Sequence, residues 1–353
     1  MFQIADRIIG PDEPPFIIAE MSANHNGSLD RAIELVRAAA ESGAEAIKLQ
    51  TYTADTMTID APGDEFQITD PNSLWTGYSL YDLYKHAATP WEWHGPIMQE
   101  CARLGLICFS SPFDLSAVRF LEELSVPAYK IASFELVDLR LIEEVARTGK
   151  PMIISTGMAT VNEIADAVAA ARDQGNEQIA LLKCTSSYPS DPRDSNVATI
   201  PHLREMFGLE VGLSDHTLGI GAALASVALG GTIIEKHFTL DRSEGGVDSA
   251  FSLEPADLKL LIAESRSAWK SVGHVHYGPG ELERPSLVFR RSLYFVEDVA
   301  AGERITPENV RSIRPGLGLA PKYLKTIIGR EVETDVRRGT PVRWELLSHG
   351  PST

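Results

Sequence analysis

Eight short apolar runs each end in groups that can do chemistry. FIIAE closes on Glu20, AIKLQ carries Lys48 and Gln50, and LICFS leads into Ser110 and Ser111. AYKI carries Lys130 ahead of Ser133, and MIIS closes on Ser155. ALLKC carries Lys183 ahead of Ser186 and Tyr188, VGLS ends at Ser214 with Asp215 and His216 behind it, and TIIEK ends in Glu235 and Lys236 before His237. Two imidazoles converging from neighbouring strands can bind a divalent transition metal. Only two protein nitrogens would leave positions for water and substrate, the arrangement Lewis-acid catalysis uses. The plainer reading of either histidine is structural packing. Lys48, Lys130 and Lys183, with the hydroxyls of Ser133 and Ser155, suit a phosphate or carboxylate, because charge-assisted hydrogen bonds are short and strong. His25, in SANHNG, reads equally as a ligand or as a residue that fixes its loop.

Several chemistries are excluded. No Walker-type loop or G-x-G-x-x-G follows a strand, which argues against nucleotide binding. No G-x-S-x-G supplies a nucleophile elbow. The net charge of −17 over 353 residues argues against nucleic acid and anionic membranes as partners. It also means that a pocket for an anion must be locally basic. No apolar run approaches the roughly 20 residues of a membrane helix. The opening MFQIADRIIGPDEPP lacks a basic region followed by an apolar core, so the expected location is the cytoplasm. Cys101, Cys108 and Cys184 lack C-x-x-C spacing and suggest neither a disulfide framework nor a cysteine zinc site.

Those groups need elements to position them. The runs predict strands at Phe16–Glu20, Ala46–Gln50, Leu106–Ser110, Ala128–Ile131, Met152–Ser155, Ala180–Cys184, Val211–Ser214 and Thr232–Lys236. Near-continuous apolar composition marks them as buried parallel strands. Amphipathic segments such as SLDRAIELVRAAAESG separate them, with breakers at Gly43, Gly105, Gly149 and Gly175. Eight β/α units in roughly 250 residues predict an α/β fold, a (β/α)8 TIM barrel with its active site at the C-terminal strand ends. An open doubly wound sheet is the alternative. The second unit carries a long insertion at 52–90, rich in aromatic residues, which is expected to shape a pocket. The expected organisation is a barrel over residues 1–271, a linker at 272–285 and a small domain at 286–353. In that domain RRSLYFV and GTPVRW read as strands, and RPGLGLAP as a loop.

The motifs FIIAEMSANHNGS, EAIKLQTYT, CFSSPFD, PAYKIAS, IISTGM, LLKCTSSYP, GLSDHT and EKHFTLDR stand in one order. Together they resemble the sialic acid synthase family, and the C-terminal part resembles that family's antifreeze-like SAF domain. The likeness runs over roughly residues 10–348. AEMSANHN, KLQTYTADTMT, LWTGYSLYDLYKHAATPWEWH, CTSSYP and FRRSLY are similar to the pseudaminic acid synthase branch rather than to N-acetylneuraminate synthases. The resemblance implies a metal-dependent condensation of phosphoenolpyruvate with 2,4-diacetamido-2,4,6-trideoxy-L-altrose. N-acetylneuraminate or legionaminic acid synthesis is the alternative within the family, and a non-catalytic sugar- or anion-binding protein the alternative outside it. The resemblance further implies Mn2+ or Mg2+ on His216 and His237. It assigns phosphoenolpyruvate contacts to Lys48, Ser111, Lys130, Ser133, Ser155, Ser186 and Ser214. Ser111 and Ser186 depart from the Thr and Asn of neuraminate synthases. Glu20 is similar to the proton-handling carboxylate, and Tyr188 and Asp248 to sugar contacts, with Gln50 beside them. Arg314 is similar to an arginine that the SAF domain of a partner subunit extends into the barrel, which implies a domain-swapped homodimer.

Overall fold

The chain opens with a hairpin that the apolar pattern does not announce. Strands β1 (Phe2–Ile4) and β2 (Arg7–Ile9) pair antiparallel. In this computed structural model, residues 2–348 are described. The chain divides into two compact units, with the boundary between Gly273 and His274.

In the first unit eight parallel strands close into a barrel. They are β3 (Phe16–Glu20), β4 (Ala46–Thr51), β5 (Ile107–Pro112), β6 (Tyr129–Ile131), β7 (Met152–Ser155), β8 (Ile179–Cys184), β9 (Glu210–Asp215) and β10 (Ile233–His237). Each expected strand is present, with ends shifted by two residues at most. Around them run α1 (Leu29–Ser42), α2 (Ala54–Met57), α3 (Leu80–Ala87), α4 (Trp91–Leu104), α5 (Leu115–Glu123), α6 (Leu139–Arg147), α7 (Val161–Asp173), α8 (Thr199–Phe207), α9 (Gly221–Ala228) and α10 (Pro255–Val272). Ser28, Asp114 and Thr160 side chains cap the amino ends of α1, α5 and α7, which satisfies backbone donors that have no partner within the helix. Gly43 and Gly105 take the left-handed conformation that ends α1 and α4.

Strand side chains alternate in direction, and this alternation sorts the site. The outward set, including Ile17, Ala19, Ile47, Leu49, Ile154 and Leu213, packs against the helices. The inward set is apolar at the bottom of the barrel. There Phe16, Ile18, Phe109, Ile153 and Leu182 meet Phe2, Ile4 and Ile9 of the hairpin. The hairpin therefore plugs the bottom of the barrel. Further along the same inward rows Ile18 gives way to Glu20, Ala46 to Lys48, Phe109 to Ser111, and Ile153 to Ser155. Register then brings the polar groups level: His237 pairs with Glu20, and Glu20 with Lys48. Among the described residues no helix is long and apolar enough to cross a membrane.

Early in the second unit a stretch of tight helical turns at Glu281–Phe289 runs from the end of the expected 272–285 linker into the start of the expected domain. β11 (Ser292–Phe295) pairs antiparallel with β12 (Val310–Ile313), and α11 (Leu324–Ile327) follows. Leu293, Phe295, Val310, Ile327, Val336 and Val342 form its core. RRSLYFV supplies β11, whereas GTPVRW forms no strand of its own and lies antiparallel beside β11, with Phe295 N donating to Thr340 O and Val342 N to Leu293 O. Two Gly-Thr-Pro-Val positions spent on a turn and a proline leave too few ladder donors for a longer strand. The last residues of the domain expected at 286–353 lie outside the described residues.

Candidate active site

The floor of the barrel mouth is a buried quartet of charges. Lys48 Nζ lies 2.6 Å from Glu20 Oε2 and donates to Ser111 Oγ at 3.2 Å. Lys130 Nζ lies 3.3 Å from Glu235 Oε1, which also accepts from Ser214 Oγ at 3.1 Å. Lys48 and Glu235 are 4.0 Å apart, and Gln50 Nε2 donates to Glu20 Oε1 at 2.9 Å. Two ammonium groups thus face two carboxylates. Burial pushes the Glu20 carboxyl up to about 7, against the pull of Lys48 and with the help of Glu235. Burial would lower Lys48, but Glu20 and Glu235 hold it above its ordinary value. Lys130 is lowered by burial despite Glu235. Burial would raise Glu235, yet Lys130 and Lys48 hold it down. Ser155 Oγ and Glu235 Oε2 are buried with no hydrogen-bond partner among the described residues. Buried polar atoms are nearly always paired, so these two mark a place where a polar ligand fits.

Beside the floor stand the two histidines, with ring centroids 5.3 Å apart. His216 Nδ1 lies 2.9 Å from Thr185 O, which makes Nδ1 the proton-bearing nitrogen and leaves Nε2 as the free one. Burial opposes a charge on His216, but the Cys184 thiol and the Thr185 carbonyl outweigh it and raise its pKa. His237 is held neutral, well below its ordinary value, by burial and by the nearby charges of His216, Lys48 and Lys236. Its Nδ1 is buried with no hydrogen-bond partner among the described residues, 3.8 Å from Asp248 Oδ2. An orphaned imidazole nitrogen beside a second imidazole fits a divalent metal such as Mn2+ or Mg2+. Among the described residues no three His, Cys, Asp or Glu groups cluster to hold one. A metal on this pair would therefore draw its other ligands from water and substrate.

Above the floor opens a cavity of about 450 Å3, within the range of small-molecule sites. The 52–90 insertion supplies much of its wall through Tyr52, Trp75 and Tyr84. Trp75 Nε1 donates to Val247 O at 2.9 Å, tying the insertion to the loop that carries Asp248. Tyr188 sits between the aromatic wall and the histidines, with its ring 5.7 Å from Trp75 and 4.4 Å from His216. Asp248 accepts from Ser22 and is buried. Ser133 Oγ and Ser186 Oγ are 2.8 Å apart at the cavity edge. Gly157, in the loop after β7, lies against them with φ +48°, and a Cβ there would come within 2.5 Å of Ser133 Cβ and 2.9 Å of Ser186 Oγ.

The mouth thus brings together Glu20, Lys48, Gln50, Ser111, Lys130, Ser133, Ser155, Ser186, Tyr188, Ser214, His216, His237 and Asp248. Other strand-end groups lie elsewhere. Ser110 faces outward and bonds Thr51 Oγ1 at 2.6 Å, which in turn meets His94. Lys183 donates to its own strand end at Cys184 O, 2.7 Å away. His25 has both ring nitrogens engaged, with Thr89 Oγ1 and Gly27 N each at 3.1 Å, so it fixes its loop. Arg314 follows β12 in the second unit and is exposed. Several cavity residues escaped the sequence reading, Phe113 and Glu135 among them. Phe113 follows β5 directly, and Glu135 stands two residues past Ser133, where the strand-end pattern could have found it. Burial pushes the Glu135 carboxyl up to about 7, and its Oε2 has no hydrogen-bond partner among the described residues.

Comparison with known proteins gives this geometry a context. The NeuB family profile matches residues 35–277 and the SAF domain profile residues 290–348. The chain is 43% identical over 332 residues to pseudaminic acid synthase of Helicobacter pylori, covering 94% of this chain and 97% of that protein. It is 36% identical over 340 residues to N,N'-diacetyllegionaminic acid synthase of Legionella pneumophila, covering 94% of each. Among solved structures, N-acetylneuraminic acid synthetase of Leptospira borgpetersenii, in complex with citrate, superposes with a TM-score of 0.72 at 31% identity. That match covers 81% of this chain and 94% of that one.

Proposed function

The chain belongs to the NeuB family, and from that premise we propose that it condenses phosphoenolpyruvate with 2,4-diacetamido-2,4,6-trideoxy-L-altrose. The products are a nine-carbon 2-keto sugar acid and phosphate, the reaction of a pseudaminic acid synthase. The observation that carries the reading is one mouth holding a lysine floor with unpartnered hydroxyl and carboxylate oxygens beneath an aromatic cavity. The floor suits the phosphate and carboxylate of phosphoenolpyruvate. Aromatic walls suit a sugar with a C6 methyl and two acetamido groups better than one rich in hydroxyls.

Lys48 and Lys130, with Ser111, Ser133, Ser155, Ser186 and Ser214, hold phosphoenolpyruvate. Tyr188, Asp248 and Gln50 orient the open-chain sugar, which replaces translational freedom with attack geometry. His216 and His237 would hold a divalent metal, which when bound would polarise the aldehyde carbonyl. The phosphoenolpyruvate methylene carbon bonds to the aldehyde carbon, whose oxygen takes a proton. Water adds at C2 and gives up one proton; carbon–oxygen cleavage then expels phosphate, which takes the remaining C2 hydroxyl proton and leaves the keto acid. Glu20, poised by burial at about 7, carries one of these protons. The arriving substrate charge must displace the glutamates as counter-ions of the lysines, and protonation of Glu20 eases that exchange. The family likeness supports a homodimer in which Arg314 of a second copy completes the site. The location this reading favours is the cytoplasm, where phosphoenolpyruvate is available.

The test is phosphate release with Mn2+ present and each of three acceptors: the altrose derivative, the corresponding legionaminic precursor and N-acetylmannosamine. The altrose derivative is expected to give the highest kcat/KM. Faster turnover of either rival would overturn the acceptor assignment and leave the family chemistry in place.

A further inference from the structure

Apart from the charges of the floor, a further buried ion pair lies next to the histidines, and the proposed chemistry does not use it. Lys236 and Asp215 are cross-strand partners in β10 and β9. Each directly precedes a histidine in the chain, Asp215 before His216 and Lys236 before His237. Their side chains are 1% and 2% exposed, and Lys236 Nζ lies 2.8 Å from Asp215 Oδ2. Strand alternation turns both away from the inward rows of Glu20, Lys48, Lys130 and Glu235.

The pair does more than cancel charge. Lys236 Nζ also donates to Thr217 O at 2.8 Å, and Thr217 N donates to Asp215 Oδ1 at 2.9 Å. These bonds hold the backbone at Thr217, directly after His216, and tie it to the side chain of Asp215, directly before it. His216 itself is held by Ser190, whose N donates to His216 O at 3.0 Å. The strand end that carries His216 is thereby locked to the strand end that carries His237.

Stability alone does not account for such a pair. Well-packed apolar residues of similar volume commonly replace a buried ion pair without loss, because desolvation offsets the Coulomb attraction. An apolar pair cannot supply directional bonds to a carbonyl and an amide. Metal sites need those bonds, since ligand distances tolerate only about 0.2 Å of error, and partners behind the ligands set their orientation.

We propose that Lys236 and Asp215 are positioning residues that hold His216 and His237 at the separation a shared divalent metal requires. The inference rests on the metal reading of the two histidines. Lys236→Met alone would strand a buried carboxylate, so the deciding variant is D215N/K236M, which replaces the pair with neutral groups of similar size. Full-length protein is stripped of metal and titrated with Mn2+, with the free ion followed by electron paramagnetic resonance. Phosphoenolpyruvate binding without metal is measured by calorimetry on the same samples. The double variant is expected to bind Mn2+ about 10–100-fold more weakly, with phosphoenolpyruvate affinity unchanged. Unchanged Mn2+ affinity in the folded double variant overturns the proposal. If that variant does not fold, D215L/K236M, which leaves neither charge unpaired, serves with the same expected direction and the same overturning result. A wild-type protein that binds no Mn2+ removes the metal reading and this inference with it, whereas binding that the variants leave untouched removes this inference alone.

Discussion

The charged floor of the mouth and its aromatic roof differ in what holds them. Floor groups sit on inward strand positions, and parallel register fixes their neighbours: His237 beside Glu20, Glu20 beside Lys48, Gln50 beside Ser111. The roof comes from the 52–90 excursion, whose helices α2 and α3 are short. It is tied across the mouth by the Trp75–Val247 bond and by ring contacts such as Tyr52 with Phe113 at 5.1 Å. A strand cannot shift by one residue without turning its whole inward row outward, so the floor resists change. A loop exchanges side chains at little structural cost. On the proposed reading the floor carries the reaction common to the family and the roof selects the sugar.

Changes to the floor should therefore have the largest effects, on chemistry. His237→Ala should abolish metal-dependent phosphate release, and a full rate in that variant would remove the metal from the account. Glu20→Gln should keep phosphoenolpyruvate binding by calorimetry yet slow turnover by about 10²–10⁴-fold, the range for general acid–base groups. The wild-type rate should show an inflection near Glu20's value of about 7 that the Gln variant lacks. A shared inflection would assign the proton to another group.

A smaller effect is expected at the border between the regions. Burial raises Glu135 from an ordinary 4.5 to about 7. The folded state thus holds this proton more tightly than the unfolded chain does. Its contribution to stability is complete below the unfolded value and is lost as pH rises through the folded one. Glu135→Gln should match wild type in Tm at about pH 4 and exceed it increasingly toward about pH 8. A constant difference across that range would mean that Glu135 keeps an ordinary pKa.

Much of the floor was legible because buried parallel strands read as apolar runs and their polar ends stand out. One-residue spacing decided the rest. Ser111 faces in while Ser110 faces out, and Glu235 and His237 face in while Lys236 faces out. Polarity alone treats them alike, and only the inward row, traced down to Phe109 or Ile233, separates them. The hairpin plug was hidden because two three-residue strands show no period long enough to read. The roof was legible as an aromatic excursion, but its contacts, Trp75 with Val247 and Tyr52 with Phe113, join residues far apart in sequence. Arg314 stood out only through the family likeness, since an exposed arginine in a Gly- and Pro-rich loop carries no signal of its own.

The division between floor and roof is tested most directly by Trp75→Ala. The measurement is the ratio of kcat/KM for the diacetamido sugar to that for N-acetylmannosamine, in the variant and in wild type, with phosphoenolpyruvate affinity determined on the same protein. The account predicts a ratio that falls by about tenfold or more, the discrimination typical of one good pocket contact, while phosphoenolpyruvate affinity stays at the wild-type value. An unchanged ratio with weakened phosphoenolpyruvate binding would contradict it.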